Sequence, residues 1–336
     1  MSQQALQATG GALLDSTLDA LNGNFTQLFG GLFKAGTVYY ADAANGSDSN
    51  DGLSAENAFQ TLSAAYNATT SGNNDVVVIV GNGQASGSQR LSATFTWAKD
   101  ATHLVGVCSP VLYSQRARIA PTAGATAFAN FFVISGDGCI FENIQWFHGF
   151  TTGTTSQICV NISGERNYFR NCHFAGMGDQ ESADNSGSRS LKIGSGGTGE
   201  NVFDSCVIGL DTVTRGAANA SIEFAGATPR NVFRNCILPF QADAATPLAI
   251  LTSGSGSMDR HQVFDRCVFV NNISSTSTTL TAATTLAASS GGLIFLKDCS
   301  AVGITDWFSD ATTAGQMRID GAAPTAATSG LAVQPT

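Results

Sequence analysis

Phe169-Arg170-Asn171-Cys172, Phe203-Asp204-Ser205-Cys206, Phe233-Arg234-Asn235-Cys236, Phe264-Asp265-Arg266-Cys267 and Leu296-Lys297-Asp298-Cys299 repeat one short pattern. An apolar residue, a polar pair and a cysteine recur, with the cysteines 34, 30, 31 and 32 residues apart. A sixth copy, Phe141-Glu142-Asn143-Ile144, precedes them with isoleucine in the cysteine place. Self-similarity at a fixed period of tens of residues marks a stacked-repeat architecture.

The pattern also predicts how each repeat is folded. Phe169 and Cys172 are three residues apart, so on one straight strand they would face opposite sides. A bend at Arg170-Asn171 lets both point inward, and Phe174 with them. Asn171 and Asn235 suit such a bend because asparagine tolerates left-handed backbone. Around this corner the chain alternates short apolar runs with Gly- and Ser-rich turns. Strands are expected at Val76–Val80, His103–Cys108, Phe131–Ile134, Cys139–Ile144, Ile158–Ile162, Tyr168–Phe174 and Ser190–Ile193. Further ones follow at Val202–Ile208, Ser221–Phe224, Val232–Leu238, Leu248–Leu251, Val263–Phe269 and Leu293–Leu296. Three strands per coil, stacked in parallel, give an all-β fold, a single-stranded right-handed parallel β-helix.

Charge supports the same register. The residue after each repeat Phe or Leu runs Glu142, Arg170, Asp204, Arg234, Asp265, Lys297, alternating in sign. Stacked on successive coils these form an outward ladder of opposite charges, each neighbour contributing about 0.2–1 kcal/mol. The role expected for them is structural.

The eight cysteines include no Cys-x-x-Cys pair, and the four histidines are scattered. No metal site and no cofactor is therefore expected. An even cysteine count invites disulfides. Coil stacking instead predicts a ladder of buried free thiols, because parallel Cβ vectors do not suit the disulfide dihedral. Phe169, Cys172, Phe203, Cys206, Phe233, Cys236, Phe264, Cys267, Leu296 and Cys299 are the expected internal ladder.

Only 12% of the 336 residues are charged, while 43% are hydrophobic and seven are proline. That is a folding chain and not a disordered one. The net charge of −9, from 16 basic and 25 acidic residues, argues against nucleic acid as a partner, because phosphate needs clustered Lys and Arg. No run of about 18 apolar residues offers a transmembrane helix, so no membrane partner is expected. Met1-Ser2-Gln3-Gln4 lacks the basic run and apolar core of a secretory signal. The location expected is a virion, reached from the host cytoplasm without a signal peptide.

Four segments are expected along the chain: a helical oligomerisation or docking segment at 1–36, a cap at 37–75, the β-helix at 76–310 and an extended tail at 311–336. In the first, Leu14, Leu18, Leu21, Phe25, Leu28 and Leu32 form a heptad seam, the kind that takes a partner helix. In the second, Ser54 to Tyr66 reads as a helix with Ser54 at its N-cap. The acidic turn Asn45 to Gly52 tempts a calcium reading but lacks the EF-hand ligand spacing. The long variable stretches Gly176–Arg189, Asp211–Asn219, Gln241–Thr246 and Asn271–Gly292 are the places where recognition is expected.

Tyr39-Tyr40-Ala41-Asp42-Ala43-Ala44-Asn45-Gly46-Ser47-Asp48, with Asn50-Asp51-Gly52-Leu53-Ser54 and Ala58-Phe59-Gln60-Thr61-Leu62, resembles the lead-in of pectate-lyase-like right-handed β-helix proteins. The coils from Asn143 to Cys299 resemble that superfamily's repeats, with Cys where a ladder Asn often sits. The resemblance spans about residues 37–305. It implies the fold, and it implies a choice among polysaccharide lyases, glycoside hydrolases, bacteriophage tailspikes and non-enzymatic virion proteins. The helical start, compact solenoid and bland tail resemble a bacteriophage virion protein, which implies a homotrimer docked on other virion proteins such as the capsid.

Three functions follow from this reading. The first is a non-enzymatic capsid decoration, head-fibre or small spike subunit. The second is a tailspike-type depolymerase acting on host surface polysaccharide. It needs two carboxylates, for which the candidates are Asp179, Glu181, Asp184 and Asp211, with Glu223 and Asp243 on following coils. A lyase would add a basic group, and Arg189, Lys192 and Arg215 are the choices nearby. The third is a carbohydrate-binding module without catalysis. The ordinary role of loop acids, solvated and keeping the surface soluble, favours the first.

Overall fold

The computed structural model describes residues 36–122, 129–149, 156–194, 198–271, 277–287, 289–309 and 316–319. The heptad positions Leu14, Leu18, Leu21, Phe25, Leu28 and Leu32 and the chain beyond 319 lie outside them.

One coil shows the plan. Tyr168–Arg170 lies on the first face, His173–Ala175 on the second and Arg189–Ile193 on the third. The chain then returns to the first face, one layer on, as Val202–Asp204. Each strand pairs in parallel with its equivalents above and below. Among the described residues the first face has ten strands, from Val38–Ala41 to Met317–Ile319, and the third has eight. The second has nine, one of them the side branch Thr214–Arg215 beside Ile237–Ala242. This is an all-β right-handed parallel solenoid.

The interior follows from the register. Phe141, Phe169, Phe203, Phe233 and Phe264 stand in line and are fully buried. Their rings stack face to face with centroids 4.9, 4.7, 4.5 and 4.5 Å apart, which is the coil spacing itself. Beside them run the cysteines. The thiols of Cys172, Cys206, Cys236, Cys267 and Cys299 each point at the carbonyl of the apolar repeat residue one coil back, at 3.3–3.5 Å. All eight cysteines are free.

The corner sits one residue later than Arg170-Asn171. Arg170 stays in the strand, which keeps its side chain outward in the charge ladder, and Asn171 turns with φ of 48°. Asn143, Ser205, Asn235, Arg266 and Asp298 do the same, with φ of 58°, 55°, 54°, 51° and 50°. A non-glycine residue in this region costs about 1–2 kcal/mol. Its N–H finds a partner in the next coil, as Asn171 donates to the Asp204 carbonyl at 3.0 Å. The expected strands Tyr168–Phe174, Val202–Ile208, Val232–Leu238 and Val263–Phe269 are each cut in two at this residue, and Cys139–Ile144 ends at it as Ile140–Glu142.

A second internal ladder occupies the turn between the third and first faces. The side-chain oxygens of Asn167, Asn201, Asn231 and Gln262 accept from the backbone N–H of Cys139, Asn167, Asn201 and Asn231 at 2.7–3.2 Å. All four side chains are buried. The ladder amides of this solenoid therefore lie at the opposite corner of the first face from the cysteines.

Several sequence expectations are corrected. The cap helix is Leu62–Ala68, with Thr61 as N-cap, and not Ser54 to Tyr66. Phe59 is drawn out of it because its backbone pairs with Tyr40 and Asp42 at 2.9 and 2.8 Å. Ser54 does accept from the Asn57 N–H, at 3.2 Å, but in a turn. The stretch Asn271–Gly292, read as a loop, contains the third-face strand Leu280–Thr285. Likewise Met317–Ile319, read as tail, forms the last strand of the first face. Gln89–Leu91, Phe95–Trp97, Arg118–Pro121 and Ile304–Phe308 also carry strands that the sequence reading lacked.

Candidate functional site at the loop edge and third face

The longer loops leave the second face and enter the third, so they gather along one edge of the solenoid. Asp179 is the N-cap of the short helix Gln180–Ala183, its carboxylate accepting from the Ser182 N–H at 2.9 Å. Glu181 lies in the first turn of that helix, exposed. Asp184 closes it and accepts from the Gly216 N–H at 3.2 Å and from Gln180 Nε2 at 3.0 Å. A Cβ placed on Gly216 would lie 2.6 Å from Asp184 Oδ1 and 3.2 Å from Asp243 Oδ1. Asp184 and Asp243 thus both approach one glycine, so closely that no side chain fits there. Asp211 is elsewhere: it stands near Tyr113, whose hydroxyl pKa its charge helps to raise after burial.

Arg215 is buried beneath this edge. It donates to Asn219 Oδ1 at 2.6 Å, to Ser221 Oγ at 3.1 Å and to the Asn219 and Leu248 carbonyls at 3.0 and 2.9 Å. Its guanidinium also lies over the Phe240 ring. Burial lowers its pKa to about 9, and the Arg189 charge adds to the fall. Arg215 is a packing post for the loop and points away from solvent.

On the third face, Asn161, Lys192 and Glu223 stand in register on successive coils. Glu223 is paired with Arg189 at 2.7 Å and with Lys192 at 3.7 Å. Both Arg189 and Glu223 are buried, and burial lowers the Arg189 pKa against the raising effect of Glu223. Asn161 Nδ2 donates to Asn130 Oδ1 at 3.1 Å. The sequence signal for this patch was a polar residue between two apolar ones at the same place in three coils: Val160-Asn161-Ile162, Leu191-Lys192-Ile193, Ile222-Glu223-Phe224.

The acidic turn at 45–52 binds backbone. Asp48 accepts from the N–H of Gln60 and Thr61 at 2.9 and 2.8 Å, and Asp51 from that of Leu53 at 3.0 Å. Among the described residues, no three His, Cys, Asp or Glu side chains converge as metal ligands.

No family model matches the chain, and no curated protein matches it in sequence. Similarity exists in the fold. The solved structure of the pectate lyase Pel9A superposes with a TM-score of 0.56 at 16% identity, covering 85% of this chain and 68% of that one. A pectin methylesterase from Aspergillus niger gives 0.48 at 14% identity, over 85% and 91% of the two chains. ORF18 of Geobacillus virus E2 gives 0.48 at 12% identity, over 95% and 58%. The fold class is therefore that of the pectate-lyase-like β-helix proteins.

Proposed function

We propose that this protein is a non-catalytic surface protein of a bacteriophage particle, a capsid decoration, head-fibre or small spike subunit that presents its loop edge outward. The supporting observation is how the candidate carboxylates are engaged. Asp179 caps a helix, Asp184 holds the next loop, and Glu223 is neutralised by Arg189 and Lys192. A glycosidase needs one carboxyl held protonated near neutral pH and a second one ionised. Three of the six carboxylates offered by the sequence instead serve to position backbone or to balance charge. The polar third face and its neighbouring loops fit adhesion to a surface glycan through hydrogen bonds. The virion setting comes from the resemblance of the lead-in and repeats to phage β-helix proteins.

The test is incubation with host capsular polysaccharide and lipopolysaccharide, followed by assay for new reducing or unsaturated ends. None is expected, while immunogold labelling should place the protein on the particle surface. One observation favours a second reading, a depolymerase: the carboxylates of Asp184 and Asp243, from two different loops, both approach Gly216. Cleavage that disappears in both Asp184→Asn and Asp243→Asn would establish that reading and remove the first.

A further inference from the structure

The outer surface of the first face carries three parallel columns. The central one is apolar. Ile140, Tyr168, Val202, Val232, Val263 and Phe295 stand in register on six successive coils, none of them buried. One flank is the alternating ladder Glu142, Arg170, Asp204, Arg234, Asp265, Lys297, in the same register. The other flank, at the turn into each strand, carries Arg166, Glu200 and Arg230, with Glu200 paired to both arginines. An apolar centre with a charged rim is the anatomy of a protein interface.

The signs select the partner and its orientation. At three levels the two flanks match in sign: Arg166 with Arg170, Glu200 with Asp204, Arg230 with Arg234; at the Asp265 level the turn carries Arg260, whose charge Asp259 balances. A second copy related by a two-fold axis along the solenoid would set these like charges against each other. Reversing the second solenoid keeps column on column and inverts the order of levels. Six alternating charges are self-complementary under that inversion. Glu142 then faces Lys297 of the second copy, Arg170 faces Asp265, and Asp204 faces Arg234. On the other flank Glu200 meets Arg230. The apolar column closes in the same way, Val202 on Val232 and Tyr168 on Val263. Ile140 falls beside Phe295, where Val263, Leu296, Arg318 and Ile319 complete a shallow hollow.

We propose that the first face is an isologous dimer interface between antiparallel solenoids, its two-fold axis passing between Val202–Asp204 and Val232–Arg234. The strands of the two copies run nearly aligned, as in stacked sheets, and the same patch serves both subunits. Six coils at about 4.8 Å give a strip about 24 Å long. That is the small end of specific interfaces, so association in the micromolar range is expected.

Sedimentation equilibrium of the full-length chain should show its mass doubling as concentration rises. Asp204→Arg puts arginine against Arg234 of the second copy, and Arg234→Asp puts aspartate against Asp204. Each variant alone should weaken doubling by at least about tenfold, as for a close charge pair. An equimolar mixture of the two should restore it, because every contact at those levels is then opposite in sign. Arg170→Asp and Asp265→Arg, alone and mixed, repeat the test at more exposed positions should the first pair fold poorly. Absence of mass doubling up to about 100 µM, well above the expected affinity, would overturn the proposal. So would mixtures no better than their components. Tighter association by Asp204→Arg alone would indicate the parallel arrangement, in which it faces Glu200, and would overturn it equally.

Discussion

The Sγ atom of Cys206 sits 3.5 Å from the Phe169 carbonyl, and its immediate neighbours are the thiols of Cys172 and Cys236. Burial, then these thiols, push its pKa well up. The ladder thiols are all buried, out of a reagent's reach, and this makes the ladder inert. An aromatic disulfide reagent added to the native protein should titrate about one thiol, Cys108, which alone is partly exposed, and reach the others only on unfolding. Rapid native labelling of Cys206 or Cys236 would refute a closed interior. The rings make a parallel case. Phe233 stacks on Phe203 and Phe264 at 4.5 Å on both sides, so Phe233→Ala should cost about 3–5 kcal/mol. Phe295, outward on the first face and 37% exposed, should cost less than about 1 kcal/mol when changed to Ala in dilute protein. Urea unfolding followed by circular dichroism compares the two, and equal losses would contradict the stacking account.

At the scale of strands and turns, the amide ladder fixes where each first-face strand begins. Asn201 accepts from the Asn167 N–H at 2.9 Å and donates to the Gly164 carbonyl at 3.3 Å, fully buried. Asn201→Ala strands that N–H without water, which costs about 1–3 kcal/mol. Asn201→Leu, which refills the volume but not the hydrogen bond, should recover little of it. A full recovery by leucine would reduce the ladder to packing. This ladder was legible, since Asn167, Asn201, Asn231 and Gln262 each stand two residues before a repeat Phe. It escaped because asparagine in a turn-rich chain already has a local explanation. Phe-x-x-Cys was plain for the opposite reason, a residue type rare enough that its period stands out. Leu280–Thr285 was hidden by its composition, as alanine and threonine fill a strand interior only when neighbouring coils supply the bulk. The approach of Asp184 and Asp243 to Gly216 was beyond reach, because it depends on two loops of unequal length meeting over a third.

The whole solenoid unfolds as stacked coils, so groups buried between coils set its response to acid. His173 is one of these. Its Nδ1 accepts from the Ser114 N–H at 3.1 Å, and its Nε2 donates to the Gly209 carbonyl at 2.9 Å. Through these bonds one imidazole joins the segment before the Arg118–Pro121 strand to a coil three layers on. Both nitrogens are committed in the neutral form. Burial, with the Arg118 charge nearby, holds its pKa down at about 4 despite the Gly209 bond, and burial takes His148 to about 3. In the unfolded chain a histidine titrates near 6.5. The unfolded state therefore takes up protons first as pH falls. The stabilising contribution of the neutral His173 is complete above about pH 6.5, declines below it, and is lost by about pH 4, a total of about 3 kcal/mol. Carboxylates confuse the picture only below about pH 5. The urea midpoint should thus fall already between about pH 6.5 and 5, where His148, His173 and the half-buried His103 take up protons on unfolding. His173→Gln should lower stability at neutral pH, where its bonds are only partly replaced, and should flatten the decline over that interval to the share left by His148 and His103. A wild-type midpoint constant down to about pH 5, or a variant with an undiminished slope, would show that the coils are not pinned through this ring.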